Sequence, residues 1–257
     1  MNALPLDGLR LHRTGSGPAL VLLHCLGVDH RLWDFALARL SPRFTVLTYD
    51  FPGHGEVPVP RGGYTIEDLS AQLAALLERE GIAQAHVCGM SLGGLVAQHV
   101  AATHPERVNR LILVDTTPRY VDDMRAMWVK RAAEARGAGT ASLTEGILRI
   151  WFTDAFREQN PPAVQYVRAC FQRTPGEGYA LACEALGAAD LRALVPTIRA
   201  PTLAICGDQD IPSFVESAKH FGATIPSCRV EWLSPAKHAS PLEHPEAFLR
   251  AVEAFLA

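Results

Sequence analysis

The stretch 83-AQAHVCGMSLGGLVAQHVAAT-103 decides the fold. An apolar segment, Ala85 to Cys88, reads as a buried strand and runs directly into Gly89-Met90-Ser91-Leu92-Gly93; a helical pattern through Gly94, Leu95, Ala97 and Val100 follows at once. A strand that turns into a helix with no intervening loop strains its pivot residue, and glycines on either side let backbones pass close. Ser91 is then held out at the tip of the turn, the arrangement of a nucleophilic serine when Gly-x-Ser-x-Gly stands between strand and helix. The Leu92 backbone N–H falls at a helix N-terminus, where unpaired donors and the helix dipole favour a developing oxyanion.

Upstream, Ala19 to Leu23 is a continuous apolar run, as expected of a strand buried on both faces of a parallel sheet. It ends in His24-Cys25-Leu26-Gly27, and a loop at the C-terminal end of a central strand is where an open α/β sheet places its site. The Leu26 N–H is the candidate second oxyanion donor. Residues 1 to 16 read as an edge hairpin, Asp29 to Leu40 as a helix, and Phe44 to Tyr49 as the next strand, which closes in the sharp loop Asp50-Phe51-Pro52-Gly53-His54-Gly55. Asp50 and His54 form a conceivable acid/base pair, but a structural role for this loop is preferred. Thr65 to Glu80 is an amphipathic helix, with Thr65 and Asp68 spaced as a capping box.

Downstream of the elbow, Arg110 to Val114 is a strand, and the alternation of strands and helices implies right-handed crossovers and a parallel sheet. From 118 to 195 the pattern changes to helical periods alone, so the chain divides into an α/β core, 1–117 with 196–257, and an inserted helical cap, 118–195. Trp128, Trp151, Phe152 and Phe156 are the aromatics of this insertion that could line an apolar cavity. The α/β pattern resumes with strands at Thr202 to Cys206 and Arg229 to Leu233, and a last helix spans Pro245 to Leu256.

An alcohol is a poor nucleophile at neutral pH; Ser91 needs a base within reach, and the base needs a partner to fix its tautomer. A carboxylate after a late strand and a histidine after the last one supply both in the order Ser, Asp, His. Asp210 and His238 meet that description, with Asp208, the more distant Asp115, and His244 as competitors; His24, at a strand end, is better read as hydrogen-bonded and structural.

Composition excludes little else. Charged residues make up 20% of the 257, apolar residues 48%, and the net charge of −3 gives no electrostatic reason to expect nucleic acid or an anionic membrane. The six cysteines occur singly, with no metal-like spacing, which suits a reducing cytoplasm, and the apolar run near the N-terminus is too short for export or a membrane span. No feature of the sequence sets an oligomeric state.

These residues resemble the α/β-hydrolases over the whole chain and, within them, the 3-oxoadipate enol-lactonases of aromatic catabolism, the β-ketoadipate route. The likeness lies in Leu26-Gly27-Val28-Asp29-His30-Arg31-Leu32-Trp33-Asp34, Gly63 to Leu69, the elbow, and Pro105-Glu106-Arg107-Val108. It continues in Trp151-Phe152-Thr153, Gly178-Tyr179-Ala180 and Asp190-Leu191-Arg192. The resemblance implies hydrolysis of a small carboxylated lactone through an acyl-enzyme on Ser91, with no metal or organic cofactor. His30 and Arg31, beside the oxyanion loop, are candidate ligands of the substrate carboxylate, and Trp151 a candidate wall of the pocket. His24-Cys25 stands where many relatives have His-Gly, and the acidic, stiff Glu56-Val57-Pro58-Val59-Pro60 follows Gly55. A general esterase, another lactonase, a carbon–carbon bond hydrolase and a non-catalytic ligand receptor remain open alternatives on the same fold.

Overall fold

In the computed structural model residues 4–257 are described. Seven strands form one sheet: β1 (His12–Thr14), β2 (Ala19–Leu23), β3 (Thr45–Thr48), β4 (Ala85–Met90), β5 (Val108–Val114), β6 (Thr202–Gly207) and β7 (Cys228–Leu233). Their spatial order is β1-β3-β2-β4-β5-β6-β7, and every pairing is parallel except that of β1 with β3. The elbow strand β4 is thus the middle of the sheet. It is buried along its length, and so are Leu20 to Leu23 of β2, which explains the unbroken apolar run of β2. Each leucine, valine or methionine among these side chains contributes about 1.5–3 kcal/mol by leaving water.

Helices α1 (Asp34–Leu40), α2 (Ile66–Arg79), α3 (Leu92–Thr103), α9 (Pro212–Thr224), α10 (Ser240–Glu243) and α11 (Pro245–Leu256) belong to the α/β part of the chain. In α2, Thr65 Oγ1 accepts from Asp68 N at 3.2 Å while the Asp68 carboxylate accepts from Thr65 N at 2.9 Å, the reciprocal cap read from the sequence. Leu69, Leu73, Leu76 and Leu77 face the core. Gly81, at φ +67°, ends this helix, with Ile82 N reaching back to the Leu77 carbonyl at 2.8 Å.

Two local expectations need correction. Residues 1–3 lie outside the described part, and the rest of the expected N-terminal hairpin is not one: β1 is three residues long and pairs with β3, far along the chain. The segment 29–40 begins as a 3-10 turn, His30–Trp33, before α1, because the Asp29 carboxylate caps the Arg31 N–H and tightens the first turn.

Between β5 and β6 come α4 (Asp122–Ala138), α5 (Thr144–Trp151), α6 (Asp154–Glu158), α7 (Pro162–Arg173) and α8 (Gly176–Ala188). The chain leaves the sheet and returns to it at one place: Arg119 and Asp190 form an isolated antiparallel bridge, and Leu191 N donates to the Pro118 carbonyl at 2.8 Å. Glycine lets this helical segment meet the strand-end loops closely. A Cβ on Gly27, at φ +80°, would stand 2.5 Å from Phe171 Cζ, and one on Gly53, at φ +77°, 2.5 Å from Gly178 Cα. Among the described residues, no helix is long and apolar enough to cross a membrane.

Candidate active site

Hydrogen bonds between β4 and β5 carry the chain straight to Met90, and the Ser91 N–H donates to the Val114 carbonyl at 2.9 Å. Ser91 itself stands at φ 52°, ψ −108°, a conformation that costs a non-glycine residue about 1–3 kcal/mol and persists only where surroundings impose it. The glycines of the motif fit closely around it. A Cβ on Gly93 would meet the Leu23 carbonyl oxygen at 2.5 Å, and one on Gly94 the Thr116 Cβ at 2.5 Å, so only glycine lets α3 start beside β2 and the loop after β5. Thr116 Oγ1 donates to the Ser91 carbonyl at 2.8 Å and steadies the turn.

From the tip of this turn a chain of hydrogen bonds runs inward. His238 Nε2 lies 3.1 Å from Ser91 Oγ, and His238 Nδ1 lies 2.9 Å from Asp210 Oδ2. All three residues are buried. Burial pulls the imidazole towards its neutral form, but the Asp210 charge and hydrogen bond, with the Asp115 charge behind them, outweigh it and hold the His238 pKa above its ordinary value. The second Asp210 oxygen accepts from Ile211 N at 2.7 Å, which fixes the carboxylate in the imidazole plane's reach. Hydroxyl, imidazole and carboxylate so arranged can transfer the serine proton to His238 while the carboxylate holds the N–H tautomer.

The competitors are all engaged elsewhere. Asp208 accepts from Ser234 Oγ at 2.7 Å and from Ala236 N at 3.1 Å, closing the turn between β6 and β7. His244 contacts the Pro235 carbonyl at 2.8 Å. His24 is wholly buried; its Nε2 accepts from Phe51 N at 2.9 Å and its Nδ1 donates to the Cys25 carbonyl at 2.8 Å. Asp115 ties the two site loops together: one oxygen accepts from Gly207 N at 3.0 Å, the other from Ser240 N at 3.1 Å and Ser240 Oγ at 2.7 Å. Burial first, and then the Asp210 charge, push its pKa up.

The loop 24–27 passes the first turn of α3 at the Gly93 contact, and the N–H groups of Leu26 and Leu92 have no backbone acceptor among the described residues. Leu92 directly follows the serine, and a free N–H at that position is the kind of donor an oxyanion needs. Residues of α4 and α5 border a cavity of about 50 Å³ at the serine, lined by Ser91, His238, Trp128, Arg131, Trp151 and Phe214 among others. The Phe214 ring lies 4.5 Å from the His238 ring and that of Trp151 6.1 Å from it, so the base works against an apolar wall. Phe152 instead stacks on Phe156 at 5.4 Å, outside this cavity. Glu243 ties the inserted helices to the loop after β7: its carboxylate accepts from Thr153 N, Thr153 Oγ1 and Lys237 N at 3.0, 2.6 and 2.8 Å.

His30 and Arg31 sit elsewhere. They line a separate cavity of about 380 Å³ with Asp29, Asp50, Glu56 and Arg173. Arg31 is forked onto Asp29 at 2.6 and 3.1 Å, and His30 Nδ1 is 3.0 Å from Asp50. Neither lines the cavity at Ser91, and each is held by its own carboxylate. Asp50 therefore pairs with His30, not with His54, whose Nδ1 faces the Pro52 carbonyl at 3.2 Å. The residue that sequence reading missed is Arg131. Its signal was there: Trp128 and Arg131 are one helical turn apart in α4, the spacing that lays a guanidinium over an indole.

A doubly wound, mostly parallel sheet with a serine at the elbow after its central strand defines a class, and a family profile described as "alpha/beta hydrolase fold" matches residues 18–245. The chain belongs to that family. Among individual proteins, it is 35% identical over 239 residues to 3-oxoadipate enol-lactonase 2 of Acinetobacter baylyi, covering 93% of this chain and 88% of that one. It is 32% identical over 246 residues to a pimeloyl-[acyl-carrier protein] methyl ester esterase of Chromobacterium violaceum, covering 93% and 94%. The crystal structure of the enol-lactonase from Burkholderia xenovorans LB400 superposes with a TM-score of 0.92 at 37% identity, covering 96% of both chains.

Proposed function

We propose that the chain hydrolyses a small enol-lactone, of the 3-oxoadipate kind, through an acyl-enzyme on Ser91. The observation that carries this reading is the buried hydrogen-bond chain Ser91–His238–Asp210 beside a small cavity; the enol-lactonases among its relatives support the substrate. His238 Nε2 takes the proton as Ser91 Oγ attacks the lactone carbonyl, and the oxyanion is received by the N–H groups of Leu26 and Leu92. Collapse breaks the ring C–O bond, and His238 returns the proton to the departing enol oxygen, which stays tethered to the acyl chain and tautomerises to a ketone. Water then gives a proton to His238 and attacks the ester carbonyl; His238 passes that proton to Ser91 Oγ as the carboxylate product leaves. Segment 118–195 serves as the cap over the core 1–117 and 196–257. Its aromatic underside keeps bulk water from the acyl-enzyme.

The relationship to a methyl ester esterase supports a second reading, an open-chain ester as substrate on the same residues. Steady-state rates on 3-oxoadipate enol-lactone and on an open-chain methyl ester separate the two: kcat/KM is higher for the lactone, and a preference for the ester selects the second. On either substrate Ser91→Ala lowers turnover by roughly 10³-fold or more with the fold retained by circular dichroism. Wild-type turnover in that variant would remove Ser91 from the chemistry.

A further inference from the structure

Arg131 is a cation facing a cavity with no anion of its own. Among the described residues, no carboxylate lies within ion-pair distance of its guanidinium. The acidic residues nearest to it in the outer groove between α4 and α5 are committed: Glu145 pairs with Arg168 at 3.1 Å, and Glu134 faces the Ser142 hydroxyl at 3.4 Å. What holds Arg131 is soft. Its guanidinium carbon lies 4.9 Å over the Trp128 ring, and one nitrogen reaches Met127 Sδ at 3.4 Å.

A polar atom beside it is unfilled as well. Trp128 is 7% exposed, yet among the described residues its indole N–H has no hydrogen-bond partner. Burial raises the Tyr179 phenol, and the Arg131 charge and hydrogen bond act against that rise. Buried donors are normally paired, and leaving one unpaired costs roughly 1–3 kcal/mol, so an unpaired N–H beside a cation with no ion-pair partner marks a place built for an acceptor. Position identifies it. Met127, Arg131 and Ile150 border both the Ser91 cavity and the outer groove of about 370 Å³, so a group bound at Arg131 is at the partition, with the rest of the molecule directed at Ser91.

We propose that Arg131, with the indole N–H of Trp128, receives the carboxylate of the substrate at the mouth of the Ser91 cavity, so that the protein selects anionic lactones over neutral ones. This rests on the reading of Ser91 as the nucleophile and adds the group that chooses the substrate. A planar guanidinium on an aromatic face presents a fork that matches a carboxylate, which a lysine does not.

The test compares 3-oxoadipate enol-lactone with its methyl ester, the same ring without the charge. The wild-type protein prefers the acid, and Arg131→Met lowers the ratio of the two kcat/KM values by roughly 10–100-fold, chiefly through KM, with Arg131→Lys in between. A ratio within twofold of wild type in Arg131→Met overturns the proposal. A second measurement does not depend on turnover: adipate is titrated against Ser91→Ala protein by tryptophan fluorescence, with and without Arg131→Met. Affinity falls at least tenfold with the second substitution if Arg131 is the receptor, and an equal affinity refutes it. Should the wild-type protein hydrolyse neither lactone, the reading of Ser91 fails while the adipate titration still decides Arg131.

Discussion

The molecule holds two histidine–aspartate pairs, one buried and one partly buried, that look alike and do different things. His238 lies 2.9 Å from Asp210, and His30 lies 3.0 Å from Asp50. In both, a carboxylate raises the histidine pKa against burial. The difference is at the other ring nitrogen. His238 Nε2 meets the Ser91 hydroxyl, whereas the His30 ring is stacked on His12 with centroids 3.8 Å apart. A polarised imidazole is a base only if something waits to be deprotonated; without it, the same pair is a strut. The arginines differ in the same way: Arg31 is neutralised by Asp29, and Arg131 is not neutralised at all.

Breaking each pair should separate the two roles. Asp210→Asn costs about 10⁴ in kcat with little loss of stability, because the amide no longer enforces the tautomer that His238 needs. The same substitution moves the ascending limb of the pH–kcat/KM profile. In the wild type that limb lies above pH 6.5, since the base must lose a proton that Asp210 helps it keep, and without the carboxylate charge it falls to lower pH. An unshifted limb would show that some other group is the base.

Asp50→Asn should do the reverse. Asp50 accepts from His30 N at 2.6 Å and Glu56 N at 2.9 Å besides the imidazole, so the variant loses about 1.5–3 kcal/mol of stability, read by denaturant unfolding, while folded protein keeps turning over. Burial opposes the Asp50 charge, but these bonds and the two nearby histidines hold its pKa well below the carboxylate range. The sign follows: its contribution is present above the unfolded value of 3.8 and is lost as pH falls below it, so the wild type loses stability in acid more steeply than the variant. The smallest effect belongs to Arg31→Met, which should change KM for the carboxylated lactone by less than threefold. A selective rise there, larger than that of Arg131→Met, would reverse the assignment of the two arginines.

Much of this was legible before any coordinates. The elbow, the Thr65–Asp68 cap and the strands after it follow from patterns a few residues long, where local sterics and apolar periodicity dominate. The order of Ser91, Asp210 and His238 was legible too, because each falls at the end of a strand and a parallel sheet brings those ends together. The carboxylate ligand was not. His30 and Arg31 stand next to the oxyanion loop in sequence, but nearness along the chain says nothing of which carboxylate will claim them, and Asp50 is twenty residues away. The N-terminal edge failed for a similar reason, since β1 takes its partner from β3.

By itself, then, the sequence determined the alternation of strands and helices, the strained serine between two glycines, and the residues able to serve it, since each depends on short-range geometry. Only the tertiary structure decided which charges are spent. Arg131 has no ion-pair partner among the described residues, while α7 brings Arg168 to Glu145, a contact made by packing between helices. Coulomb pairing acts through space, over a few ångströms of low-dielectric protein, and the chain's order does not carry that distance.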